Sequence, residues 1–118
     1  MRAGDIRFSV VFFRTEGGTE PVRAWLKAMP KSHKKAIGED IKTVQYLWPI
    51  GMPLVEKIES DLWSVRSHVL DGTARVLFTV EGQTLILLHG FIKKSRKIPG
   101  ADLNTARSRL RQLQETGS

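Results

Sequence analysis

The sequence predicts an α+β domain in which helices pack on one face of an antiparallel sheet, in the order strand, helix, helix, three-stranded meander, helix. Three observations lead there. The 118 residues suit one domain, residues 1–118, and leave no room for a second. Apolar residues recur at helical spacing before Pro49 and at alternate positions from Leu62 onward. Gly and Pro marks, among them Gly17-Gly18, Pro30, Pro49, Pro53, Asp71-Gly72, Glu81-Gly82 and Pro99-Gly100, cut the chain into about seven elements.

Arg7 to Phe13 has no charge in its middle and is rich in β-formers, which predicts a strand. Thr19 or Glu20 then opens a short helix, with Pro21 in its first turn and Val22, Trp25 and Leu26 on one face. After Pro30, the spacing of Ile37, Ile41, Val44, Leu47 and Trp48 predicts an amphipathic helix of about four turns. Pro49 and Pro53 stop it, and the chain turns before the next strand. From Leu62 the period becomes two: Trp63, Val65, Ser67 and Val69 share one face, and Leu62, Ser64, Arg66 and His68 the other. Asp71-Gly72 signals a hairpin into a strand over Ala74 to Val80. Thr84 to Ile92 is an almost continuous apolar run, as in a central strand covered on both faces. Asp102 is placed to cap a last helix whose stripe is Leu103, Ala106, Leu110 and Leu113.

Composition narrows the chemistry. With 41% hydrophobic residues the chain can build a core without staples, and the absence of cysteine excludes disulfides, thiolate metal sites and a Cys nucleophile. The net charge of +7 is concentrated at one end. Residues 1–90 carry 12 basic and 10 acidic side chains, residues 91–118 carry 7 and 2. A local field of one sign points to a polyanionic partner, nucleic acid being the commonest. No apolar stretch approaches the ~20 residues of a membrane-spanning helix, so no membrane partner is expected. No apolar segment follows Met1 to Gly4 as in a signal peptide, and a cytoplasmic location is expected.

Four cations, Lys93, Lys94, Arg96 and Lys97, lie within five residues directly after a buried strand, so a rigid sheet holds them where they can address phosphate. Arg66 and Arg75 sit mid-strand on the polar face of two strands joined by the Asp71-Gly72 turn. Each could instead pair with a carboxylate such as Glu56 or Glu59. His68 shares the face of Arg66 and is the histidine best placed to move a proton. His33 reads as solvated, and His89 as a satisfied structural imidazole. There is no phosphate-binding Gly-rich loop, HExxH or GxSxG pattern. Asp61, Asp71 and Asp102 do not form a metal-binding cluster, so neither metal nor cofactor is expected.

The strings Leu62-Trp63-Ser64-Val65-Arg66, Arg75-Val76-Leu77-Phe78 and Leu87-Leu88-His89-Gly90-Phe91-Ile92-Lys93-Lys94-Ser95-Arg96-Lys97-Ile98-Pro99, followed by Ala106 and Arg107, resemble the phage-derived Gp49-like, or HigB-like, branch of the RelE/ParE toxin superfamily. The most specific part is the HGF-x-KK-x-x-K-x-P string. The resemblance implies a RelE-like fold: a twisted antiparallel sheet with the N-terminal helices on one face and a C-terminal helix. It also implies a toxin that cuts mRNA on the ribosome without metal or cofactor and so inhibits translation, held in check by a cognate HigA-like helix-turn-helix antitoxin. Arg66 and Arg75 match the basic positions of the sheet face, and Lys93, Lys94 and Lys97 the basic string. This chain departs from the family pattern at Ser64, where glutamate is usual, and at Ser60-Asp61, where the turn usually contains glycine. Its only tyrosine is Tyr46, in the second helix.

Cleavage by a ribose 2′-OH needs that hydroxyl deprotonated, charge on the phosphate neutralised and a proton delivered to the leaving oxygen. On this reading Arg66 and Arg75 hold the phosphate, and a lysine of the 93/94/97 group, such as Lys94, or His68 transfers the proton. Crowding lowers a lysine's pKa and makes it a better base. Lys93, Arg96, Lys97 and Arg107 then grip RNA or ribosome. Two other classes fit the same chain: a ParE-like toxin that inhibits DNA gyrase, and a non-enzymatic module that binds nucleic acid.

Overall fold

The computed structural model describes residues 8–70, 72–93 and 97–116, which form β1 (Ser9–Phe12), α1 (Pro21–Lys27), α2 (Lys31–Leu47), β2 (Val55–Glu59), β3 (Leu62–Val69), β4 (Gly72–Glu81), β5 (Thr84–Lys93) and α3 (Gly100–Thr116). The five strands make one sheet in the order β1-β5-β4-β3-β2. The meander β3-β4-β5 is antiparallel throughout, as the alternation and the two turn signals require. The expected all-antiparallel sheet is in fact mixed, because β1 lies parallel to β5, with Val10 opposite Leu85 and Phe12 opposite Leu87. The strand β2 extends the other edge, pairing antiparallel with β3.

The helices do not share one face. Val22 of α1 and Ile37, Ile41 and Val44 of α2 are buried with Val65, Ala74, Val76, Phe78, Leu85 and Leu87. Trp48, just past α2, meets Trp63 and Phe78 edge-on with ring centroids 5.1 and 5.4 Å apart. On the opposite face, Ala106 of α3 is buried with Leu62, Leu77, Ile86, Leu88 and Phe91, and Leu103, Leu110 and Leu113 pack against them. The stripe predicted for the last helix therefore holds, but it covers the second side of the sheet. Leu47, assigned to the apolar stripe of α2, is 57% exposed, and His33, read as solvated, is buried. Both follow from the geometry of α2, whose buried set is His33, Ile37, Ile41 and Val44, one residue per turn.

Two irregularities control which side chains reach which face. The register of β4 against β5 passes from Leu77 opposite His89 to Phe78 opposite Leu87, so β5 carries one extra residue, Leu88. Leu85 and Leu87 point toward α1 and α2, and beyond the bulge Gly90 and Ile92 face the same way while Phe91 and Lys93 take the other side. Gly90 receives the indole of Trp25: a Cβ there would stand 2.5 Å from Cε3 of that ring. In the β2–β3 turn, Asp61 adopts a φ of 63°. This is where the family resemblance leads one to expect glycine, and aspartate is among the few residues that tolerate the left-handed region.

Candidate nucleic-acid interface

The second core, under α3, covers only part of its face, and beyond it lies a cluster of charged side chains. Arg66 and Arg75 are directly opposite each other across β3 and β4. Cβ atoms of facing residues lie ~4.5–5.5 Å apart, where like charges destabilise the pairing. Glu56 faces Ser64 from β2, and Lys93 faces Thr73 from the end of β5. The sheet thus brings together residues 56, 64, 66, 75 and 93 through pairings that no short sequence window contains.

Arg75 is 3% exposed. Its Nη1 donates to Glu56 Oε1 at 2.6 Å and to Ser64 Oγ at 3.3 Å, so it is held by the carboxylate pairing foreseen as the alternative to a free phosphate clamp. The Glu56 side chain is 40% exposed. Its hydrogen bond from Arg75 holds its pKa below the usual carboxylate value against the opposing effect of burial, and the charges of Arg75, Arg66 and Lys93 add to the lowering. Arg66 is half-buried, with Nη1 3.6 Å from Met52 Sδ and 3.5 Å from the Pro53 carbonyl oxygen, both long for hydrogen bonds. The Nε atoms of Arg66 and Arg75 are buried and have no partner. Unsatisfied buried guanidinium donors are costly, and here two lie on facing residues.

Lys93 is half-buried, and its pKa is lowered, first by desolvation and then by the charges of Arg75 and Arg66, with Glu56 working against the shift. This lysine therefore gives up its proton more readily than a solvated one. The lowering has a different main cause from the crowding of lysines expected from the sequence. Lys94 and Arg96 lie outside the described residues. Lys97 is exposed and lines, with Glu56 and Lys93, a cleft of about 330 Å³. His68 is exposed near the far end of β3, opposite Thr73.

Arg107, assigned to RNA or ribosome contact, is bound to Glu59: Nε lies 3.2 and 3.1 Å from the two carboxylate oxygens and Nη2 is 2.7 Å from Oε1. The pair ties α3 to β2. His89 joins β5 to α3, its ring nitrogens both partnered. Arg109 Nη1, which can only donate, lies 3.3 Å from His89 Nδ1 and donates to the Leu88 carbonyl at 2.8 Å. Nδ1 is then the acceptor, and Nε2 carries the hydrogen given to Asp102 Oδ1 at 2.7 Å. Asp102 lies in the first turn of α3, and its carboxylate serves this contact instead of the cap expected of it.

Glu56, named from the sequence only as a possible partner of either arginine, is itself part of the site. The departure at Ser64 removed the expected carboxylate from β3, and the structure supplies one from the neighbouring strand, directly opposite Ser64. The available signal was the placement of Val55 and Glu56 before a turn into β3, hidden by the prolines that precede them. Among the described residues no group of three or more His, Asp or Glu side chains is arranged to hold a metal ion, and no helix is long and apolar enough to cross a membrane.

A search of curated proteins finds no match to the chain. The family described as phage derived protein Gp49-like (DUF891) matches residues 24–111, from α1 to α3 and including every residue of the charged cluster. With the five-stranded sheet, the two N-terminal helices on one face and the C-terminal helix on the other, the chain belongs to this Gp49-like phage-derived family, a toxin–antitoxin-associated member of the RelE/ParE-like toxin superfamily.

Proposed function

We propose that the protein is a toxin that cleaves mRNA on the ribosome, with the charged cluster of β2 to β5 as the cleavage site and a cognate helix-turn-helix antitoxin as its inhibitor. The observation that carries this reading is the facing of Arg66 and Arg75 with both Nε donors unsatisfied. A phosphodiester entering there offers non-bridging oxygens to two guanidinium groups whose mutual repulsion it relieves. Arg75 exchanges its hydrogen bond to Glu56 for one to the phosphate, and the guanidinium planes turn so that the unpartnered Nε donors also face it.

Attack by the ribose 2′-oxygen then proceeds with the two arginines neutralising the charge that develops on phosphorus-bound oxygens. Lys93, with its lowered pKa, takes the 2′-OH proton in its neutral form. The released Glu56 carboxylate is a weaker base and orients that lysine or the hydroxyl. The proton for the leaving 5′-oxygen is assigned to His68 or Lys94. Arg96, Lys97 and Arg107 contribute positive charge toward ribosomal RNA, Arg107 through the part of its guanidinium that Glu59 leaves open.

The test is 5′-end mapping of a reporter mRNA in a translating bacterial extract, with and without ribosomes. The wild type is compared with Arg66→Ala and Arg75→Lys, each checked for fold by circular dichroism. Cuts inside codons that need ribosomes and fall at least 100-fold in folded variants are expected, the scale seen when one charge-stabilising donor is removed. Intact mRNA in an extract that keeps translating refutes the nuclease reading and directs attention to gyrase inhibition.

A further inference from the structure

We propose that the cleft beside Glu56 is a nucleobase subsite, which receives the base of a nucleotide whose phosphate occupies the Arg66–Arg75 site; the proposal rests on the phosphate reading above. The cleft, about 330 Å³, has Ile58, Ile98 and Leu103 as apolar walls and Glu56, Lys93 and Lys97 as polar ones. The three apolar side chains pack against the core beneath α3, so the walls are fixed by the fold. Glu56 belongs both to the cleft and to the 2.6 Å contact with Arg75, which makes cleft and phosphate site contiguous. A flat heterocycle on a sugar phosphate has this division: an anionic end for the guanidinium groups and an apolar face with a polar edge for the cleft.

The composition of the walls also sets the selectivity. None of the lining side chains is aromatic, so the base is held by aliphatic contact and not by ring stacking. The polar atoms stand on long side chains with several rotatable bonds, which adapt to any base edge instead of imposing a donor–acceptor pattern. The cleft accepts all four bases with affinities within about tenfold of one another.

The probes are the four nucleoside 5′-monophosphates, with ribose 5-phosphate as the baseless control, titrated into the full chain and read from the methyl resonances of Ile58, Ile98 and Leu103. The expected result is that each nucleotide binds about tenfold more tightly than ribose 5-phosphate, equivalent to about 1.4 kcal/mol, and moves all three sets of methyl signals. Arg75→Lys weakens nucleotide and sugar phosphate alike, whereas Ile98→Gln narrows the difference between them. Equal affinity for nucleotide and ribose 5-phosphate, with unmoved methyl signals, overturns the base subsite and leaves the phosphate site standing. Binding of neither compound overturns both.

Discussion

Adding one methyl group at Gly90 should cost the protein about 1–2 kcal/mol of stability. The new Cβ would meet Cε3, Cζ3 and Cδ2 of Trp25 at 2.5, 2.6 and 3.0 Å. Carbon atoms rest at ~3.5–4.0 Å, so the indole must retreat by roughly 1 Å, and with it α1, which sits on β5. Overpacking of this kind costs about 1–3 kcal/mol. Alanine returns ~0.4–1 kcal/mol by restricting the unfolded chain. The net loss is read from urea unfolding followed by far-ultraviolet circular dichroism. Trp25→Leu supplies the control, because it vacates the space the methyl needs. In that background Gly90→Ala should be neutral or stabilising, giving a coupling of about 1–2 kcal/mol. An unchanged stability of Gly90→Ala with Trp25 present, or an equal cost with and without Trp25, refutes the argument that this glycine is there to seat the indole.

Four further outcomes are expected. Asp61→Gly relieves a left-handed backbone and should raise stability by up to about 1 kcal/mol, net of the entropy glycine gains in the unfolded chain, as a shift in urea midpoint shows. Glu56 and Glu59 have folded-state pKa values lowered by Arg75 and Arg107, so their stabilisation is complete above the unfolded value of about 4.3 and is lost as pH falls through the lower folded values. A Glu56→Gln, Glu59→Gln double variant should show a shallower acid limb in a plot of unfolding midpoint against pH. Log cleavage rate should rise with pH and level off below the usual lysine pKa, and Lys93→Met should abolish the rise; a flat wild-type profile contradicts the proton-transfer role. Arg107→Ala removes a solvent-screened surface pair and should leave the midpoint of thermal or urea unfolding nearly unchanged.

Much of the fold was legible because local chemistry and tertiary packing agree. The alternation over Leu62 to Val69, the turn into β4 and the apolar run of β5 led to the meander, and the spacing of Ile37, Ile41 and Val44 led to the buried side of α2. The helix α3 was found, but its side of the sheet was not, since an apolar stripe states that a helix is covered and not by which face. The strand β2 escaped because Val55-Glu56-Lys57-Ile58-Glu59 has three charges in five residues directly after prolines. Its loss hid the place of Glu56 in the site. Arg66 and Arg75 were placed on one face from period and hairpin alone, and their direct opposition follows from the register. Neither the burial of Arg75 nor the Glu59–Arg107 tie could be read from spacing, because each depends on a partner 19 or 48 residues away.

The extra residue Leu88 divides the tolerance of β5 to change into two kinds. Replacing a side chain in this strand disturbs one contact, whereas straightening the bulge, or inserting a residue that no bulge absorbs, reverses the phase of everything beyond it. Straightening the bulge with Leu88 retained would turn Gly90 away from Trp25 and send Lys93 toward the layer of α1 and α2, whereas deleting Leu88 together with the bulge leaves His89 opposite Leu77 and every later residue on its present face. Deletion scanning should therefore find that β5 tolerates loss of Leu88 better than loss of Gly90 or Phe91, while substitutions at its half-exposed positions pass with little effect. Architecture and chemistry here share one phase, and the bulge that fixes it is also where the strand can lose a residue without losing either.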